Sequence, residues 1–323
     1  MIDLKQSYLL HKTVFILYFA LINVISCAQN LVPNYSFEDT VSCPTWGYQI
    51  HLAPPWKQPT MGTCDLFHTC TEVANQVSIP LNFAGDQYPR TGEAYAGIYP
   101  FADLMEDYRE YLQVELKQTL KAGKSYCVSF YANLGDSSNL TTSSVGVYFS
   151  ADSIGSSDYH TLLYQPQVEN PEHVFFNHED WTLVKGIFFA TGVERYMTIG
   201  NFRKTNETIT KVPNPPNLYG PGIYLYIDDV SVEECSIELP NIFTPNNDGV
   251  NDVWVFNGFD NASEFNCKVY DRWGSLMFES NDVRNSWTGK NNKDEMTSDG
   301  VYYYVIKAIY NNGFVFNKAG LCI

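Results

Sequence analysis

KSYCVSFYA, residues 124–132, alternates with a period of two, placing Tyr126, Val128, Phe130 and Ala132 on one face and Cys127, Ser129 and Tyr131 on the other. Residues two apart share a side of a β-strand. Both sides are fairly apolar here, which marks a central strand of a packed sandwich. Working outward, similar strands are expected over Ser144 to Ser150, Trp181 to Ala190, Arg195 to Asn201 and Ile223 to Val232. Turn clusters at Lys121-Ala122-Gly123-Lys124 and Gly135-Asp136-Ser137-Ser138 separate them, and Pro213, Pro215 and Pro216 mark a loop before the last. With 23 Tyr, 20 Phe and few long helical patterns, the chain reads as all-β.

The 323 residues allow one large and one small domain, each able to bury a core. Acids outnumber bases 36 to 20, a formal charge of −16. Nucleic acid is therefore excluded as a partner, because phosphate affinity rests on basic patches that release counterions. At the start, Lys5 and Lys12 precede an apolar run from Val14 to Ile25, followed by Ser26-Cys27-Ala28. A run of about a dozen residues is too short to span a bilayer, which needs about 20. Residues 1–28 therefore read as a signal peptide cut after Ala28, with Cys27 as the competing lipoprotein acylation site. No transmembrane segment is expected in the mature chain.

Two stretches carry a resemblance at the other end. NIFTPNNDGVNDVW (Asn241 to Trp254) and KVYDRWGSLMFES (Lys268 to Ser280), with DGVYYYVI from Asp299 to Ile306, resemble the gliding-motility-associated C-terminal domain, the type B sorting domain of type IX secretion in Bacteroidetes. The resemblance implies export through the type IX machinery to the outer cell surface or the medium, via the periplasm. Residues 236–323 are then a small immunoglobulin-like β-sandwich, for which seven short strands fit the length and Asn311-Asn312-Gly313 supplies a hairpin turn. Such domains often finish on a basic residue, whereas this chain ends Gly320-Leu321-Cys322-Ile323.

Upstream, NLVPNYSFED (Asn30 to Asp39) and YLYIDDVSVEEC (Tyr224 to Cys235) resemble the first and last strands of galactose-binding-like jelly rolls, with RTGEAYAGIY and YREYLQV between them. Residues 29–235 are thus expected to form a jelly-roll β-sandwich. The resemblance implies a fold shared by many calcium-containing carbohydrate-binding modules.

The last strand adds its own signal. Ile223, Leu225 and Ile227 share one parity and Val230 and Val232 the other, so the inward phase changes across Asp228-Asp229. A β-bulge there turns a carboxylate inward. Calcium takes six to eight oxygen ligands, and the expected structural calcium site uses Glu38 with Asp228 or Asp229, assisted by Glu93. The alternative is a set of solvated acids at strand ends.

Seven cysteines lie beyond the leader: Cys43, Cys64, Cys70, Cys127, Cys235, Cys267 and Cys322. Export makes disulfides the default, and the odd count leaves a thiol over. Cys43 to Cys70 or Cys64 to Cys70 is the first expectation. The crowding of these three with His51 and His68 also permits a zinc reading, though no tight CxxC pair supports it.

No GxSxG elbow, HExxH helix or phosphate loop is present, and the charged run Glu106 to Glu110 is no signature of catalysis by itself. The chain reads as a non-enzymatic binding protein for a polysaccharide or cell-surface glycan, the alternative being a protein-binding adhesin or surface-layer component. Sugar recognition needs aromatic faces and a few directed polar groups. Trp56, Tyr95, Tyr99, Tyr108, Arg109 and Tyr131 are the candidates, against the alternative that they fill a Tyr-rich core. Asn246 to Asp252 has oxygen donors spaced like a calcium loop but lacks the closing Glu, so a tight polar turn is expected.

Overall fold

The computed structural model describes residues 29–323 except 73–75, 103–104, 217–219, 221, 238, 257, 260–261 and 311–312. The expected signal peptide and the first two residues of the expected Asn311-Asn312-Gly313 turn lie outside the described residues. The upstream part holds β1 (Asp65–His68), β2 (Leu81–Asn82), β3 (Gly85–Asp86), β4 (Ala94–Ala102), β5 (Leu112–Glu115), β6 (Ser125–Leu134) and β7 (Thr141–Thr142). It continues with β8 (Gly146–Ser150), β9 (Val168–Glu169), β10 (Thr182–Phe189), β11 (Tyr196–Gly200), β12 (Thr210–Lys211) and β13 (Gly222–Cys235).

A five-stranded antiparallel sheet, ordered β1-β4-β13-β6-β10, faces a four-stranded one, ordered β5-β11-β8-β9. Neighbours in each sheet come from distant parts of the chain, as a jelly roll requires. Val128, Phe130 and Ala132 of β6 point into the core between the sheets, with Ile98, Val114, Val147, Met197 and Ile199. The other parity of β6 does not meet a second core: Cys127 is exposed, and Ser129 and Tyr131 are half-buried. The phase change in β13 is present. Its pairing with β6 slips between Asp228 and Ser231, Asp229 takes a φ of +48°, and both Ile227 and Val230 stay buried.

The segment Asn30 to Asp39 is not a strand. Pro33 has no N–H to give a ladder, and Asn34 and Phe37 adopt positive φ, so the chain winds through turns. It still lies against β13, through Leu31 N–H to Val232 O at 2.8 Å and Val230 N–H to Tyr35 O at 2.9 Å.

The C-terminal part holds β14 (Ala262–Tyr270), β15 (Leu276–Ser280), β16 (Tyr302–Tyr310) and β17 (Val315–Cys322), ordered β15-β14-β16-β17. Among the described residues, regular pairing stops at these four strands rather than seven. The facing layer consists of irregular segments joined by bridges at Trp254 with Trp287 and Lys290 with Met296. Trp254, Trp287, Phe256 and Phe259 fill the space between, with Cys267 and Ile306 from the sheet.

Candidate functional site

Three of the six expected ligand-binding side chains are buried, and a fourth, half-buried, has one ring face covered. Trp56 is buried against Phe37, with Nε1–H donating to Asn34 O at 2.8 Å. Tyr95 is fully buried, stacked on Phe67, its hydroxyl donating to Gln87 O at 2.9 Å. Arg109 is also fully buried, donating to the backbone of Tyr108 and Arg203. The Tyr131 ring is covered by the Arg90 guanidinium, 3.5 Å above its centroid. Alternation does put Tyr95 on the outer side of its sheet, but the segment around Val77, Phe83 and Ala84 roofs that side and packs on Phe67, Tyr224 and Tyr226. Tyr99 and Tyr108 are half-buried: the Tyr99 ring packs edge-on against Tyr224 while its backbone N–H donates to Glu110, and the Tyr108 hydroxyl donates to the same carboxylate.

The aromatic faces that remain open include two residues that sequence reading passed over, Trp46 and Tyr48, 59% and 67% exposed. They sit on the short loop Thr45 to Gln49, which is held at several points. Gln49 Oε1 accepts from the N–H groups of Thr45 and Trp46 at 2.8 and 3.1 Å. Asp65 Oδ1 accepts from Tyr48 N–H at 2.6 Å, and Thr71 Oγ donates to Pro44 O at 2.9 Å. The Cys43–Cys70 disulfide closes the loop's base. Tyr48 has a φ of +70°, unusual for a bulky residue and kept only where the surroundings enforce it. Gly47 allows the close approach, since a Cβ there would lie 2.8 Å from Asp65 Oδ1. The signal available in the sequence was Trp-Gly-Tyr between two cysteines, where no periodicity operates.

Beneath the loop lies a pair of buried acids. Asp65 takes a hydrogen bond from the Tyr224 hydroxyl on its other oxygen. Glu110 accepts from Thr63 N–H and Oγ–H at 2.9 Å each, from Tyr108 O–H at 2.6 Å and from Tyr99 N–H at 2.8 Å. Burial, reinforced by the charge of Glu110, pushes the Asp65 carboxyl up to about 7, and burial raises Glu110 as well. The Cys64 thiol beside them, pushed up by the same burial, donates to Tyr111 O at 3.1 Å. Cys64 is thus a free thiol and not part of a disulfide with Cys70.

A second bridge, Cys127–Cys235, joins adjacent strands β6 and β13. Spacing alone did not reveal it, because the partners are 108 residues apart. The zinc reading has no support in the geometry: two of its cysteines bond to each other, and His68 Nδ1 accepts from Cys70 N–H at 3.0 Å.

Glu38, Asp228 and Asp229, expected to hold calcium, each accept from donors on the 90–94 segment, and among the described residues no three acids, histidines or cysteines are grouped so as to hold a metal. Glu38 takes the N–H groups of Glu93 and Ala94, with Oε1 at 2.9 and 3.1 Å. Asp228 takes Ser36 Oγ–H at 2.8 Å, Asp229 N–H at 2.7 Å and Arg90 N–H at 2.9 Å. Asp229 takes Thr91 Oγ–H at 2.7 Å and the Arg90 guanidinium at 2.5 Å. The Glu93 carboxylate accepts from Thr69 Oγ–H at 3.3 Å. Asp228, the innermost of these acids, meets a protein donor at each of its four lone-pair positions, so the set does not fit a divalent cation.

Residues 237–320 match the CHU_C type IX secretion signal domain. The chain is thereby marked for export to the cell surface or the extracellular space, and no described helix is long and apolar enough to cross a membrane. No curated protein matches the chain. Among solved structures, it is similar to the CBM22-1 xylan-binding domain from Paenibacillus barcinonensis Xyn10C, at 12% identity over 64% of this chain and 95% of that one, with a TM-score of 0.37. It is also similar to the C-terminal family 22 carbohydrate binding module of Clostridium thermocellum Xyn10B, at 12% identity, 64% and 95% coverage and a TM-score of 0.32. A third is the K1 cleaved adhesin domain of Lys-gingipain from Porphyromonas gingivalis W83, at 12% identity, 62% and 96% coverage and a TM-score of 0.31. All three scores are low, and the sandwich is established by the chain's own strand pairing.

Within the secretion signal domain, Asn246 to Asp252 forms the tight polar turn expected. Asp252 accepts from Asn247 and Gly249 N–H at 2.6 and 2.7 Å, and Asp248 from Val250 N–H at 2.8 Å, so the acids cap their own turn. Cys267 and Cys322 are buried thiols in its core.

Proposed function

We propose that this exported chain is a non-enzymatic carbohydrate-binding protein whose glycan stacks on Trp46 and Tyr48. The observation that carries the reading is an exposed aromatic pair on a loop fixed by a disulfide, a buried carboxylate and a side-chain amide. A sugar ring presents a C–H face that an indole or phenol ring covers well, and a pre-ordered platform loses little entropy on binding. The polar groups of Gln49 and the loop backbone serve the loop itself, so specificity would come from hydroxyl contacts at its rim. Asp65 and Glu110, the obvious acid pair, are closed off from solvent, which favours binding over glycoside hydrolysis, where two carboxylates must flank the bond.

The test is a polysaccharide panel probed with residues 29–323 as wild type and as Trp46→Ala/Tyr48→Ala. Retention by a defined polysaccharide that is lost in the double variant, with Tm unchanged, is the expected result. Binding unaffected by the double variant removes the platform. No glycan signal, combined with adhesion to cells or protein, favours the adhesin reading instead.

A further inference from the structure

The acidic junction between the first segment and the last strand has a cation, and it is a side chain. We propose that Arg90 is the built-in counter-cation of this junction, so that the chain ties Asn30–Asp39 to β13 without a divalent metal.

The β-bulge separates the two acids. Asp228 is turned inward and is fully buried, while Asp229, at φ +48°, turns its carboxylate to the outer side. The strap from Arg90 to Ala94 runs between them and Glu38. Its N–H groups at 90, 91, 93 and 94 point their positive ends at Asp228 and Glu38. A metal placed among these carboxylates would face N–H hydrogens, which repel it, instead of the six to eight lone pairs that calcium requires. The remaining acid, Asp229, is met by Arg90 Nη1 at 2.5 Å and by Thr91 Oγ at 2.7 Å.

Arg90 suits this place for a geometric reason. Its guanidinium lies 3.5 Å above the Tyr131 ring while one nitrogen donates to Asp229. A planar delocalised cation lies flat on a ring while its edge N–H groups pair with a carboxylate, whereas an ammonium group has no flat face to stack. Tyr131 stands directly opposite Asp228 across the β6–β13 pair, so the stack clamps the strap over the bulge. The Arg90 side chain is 34% and that of Asp229 11% exposed, so the pair is shielded enough to matter and open enough to avoid a full desolvation penalty.

The experiment is thermal melting of residues 29–323 with excess calcium or excess chelator, as wild type, Arg90→Met, Asp229→Asn and the double variant. Asn tolerates positive φ, so Asp229→Asn removes charge without forcing the bulge. The expected results are an identical wild-type Tm with calcium and with chelator, and a Tm lowered by about 2–4 °C in Arg90→Met. The double variant is expected to lose less than the two single losses combined. A wild-type Tm that rises with calcium would overturn the proposal. So would an Arg90→Met Tm equal to wild type, or strictly additive losses. Should Asp229→Asn not fold, Arg90→Lys decides: a Tm above that of Arg90→Met supports the counter-cation, and a Tm no higher than that of Arg90→Met overturns it.

Discussion

Phe189, the last residue of β10, stacks on Phe314 of the secretion signal domain, with ring centroids 4.3 Å apart and planes 9° from parallel. A residue of the large sandwich is thus part of the small domain's core, together with Ile237, Tyr310 and Phe316. The two domains should therefore melt as one transition. Phe189→Ala is expected to lose about 3–5 kcal/mol and to split the calorimetric peak in two. A single unshifted peak would show that the contact contributes nothing.

The same contact bears on export. Deleting residues 236–323 removes the matched secretion signal and uncovers Phe189, so the truncated chain should stay in the periplasm and bind an apolar dye. Fractionation of cells with intact secretion machinery measures this. Equal surface or medium levels of full-length and truncated forms would contradict it.

Gly47→Ala is a test of how the aromatic loop is held. The new Cβ would lie 2.8 Å from Asp65 Oδ1, and Asp65 is buried and cannot retreat, so the loop must lift. Glycan retention should fall at least tenfold while the circular dichroism of the sandwich is unchanged, as about 1.4 kcal/mol of lost preorganisation implies. Retention equal to wild type would place the ligand elsewhere.

Asp65 also imposes a pH dependence. Its carboxyl is raised from 3.8 to about 7, chiefly by burial and then by Glu110, against the lowering effect of hydrogen bonds from Tyr224 and Tyr48. A raised acid binds its proton more tightly in the folded state than in the unfolded chain. Its stabilising contribution is fully present below about 3.8 and is lost as pH rises through about 7. Comparing Tm across that window, wild type should fall more steeply than Asp65→Asn. Parallel curves would mean that Asp65 does not titrate there.

Non-reducing mass mapping should find Cys43 joined to Cys70 and Cys127 to Cys235, with Cys64, Cys267 and Cys322 protected from alkylation until unfolding. Breaking Cys127–Cys235, which closes the longer loop, should lower stability by about 2–4 kcal/mol. Rapid alkylation of Cys64 in the native protein would contradict its burial.

The strands could be read because a strand's pattern is local. Val128, Phe130 and Ala132 alternate whatever lies around them, and the parity break from Ile227 to Val230 marked the bulge without knowledge of the partner strand. The export address was legible for the same reason, being a run of contiguous motifs. Asn30 to Asp39 was placed correctly beside β13 but not in the correct conformation, since its turns depend on Asn34 and Phe37 accepting positive φ in a setting made by other segments.

The aromatic residues were another matter. Periodicity assigns a side chain to one face of its strand, and says nothing of whether a remote loop then covers that face. Tyr95 and Tyr131 lie on the outer side of their sheet, yet one lies under the roof around Phe83 and the other has a ring face covered by Arg90. Trp46 and Tyr48 have no periodicity at all, and their exposure depends on Asp65, Gln49 and a disulfide to Cys70. The sequence by itself therefore determined the strands that became β6, β8, β10, β11 and β13, the bulge and the route out of the cell, all encoded between near neighbours. Only the tertiary structure decided which rings meet solvent and which charge answers Asp229, because burial and ion pairing are set by groups brought together from far apart in the chain.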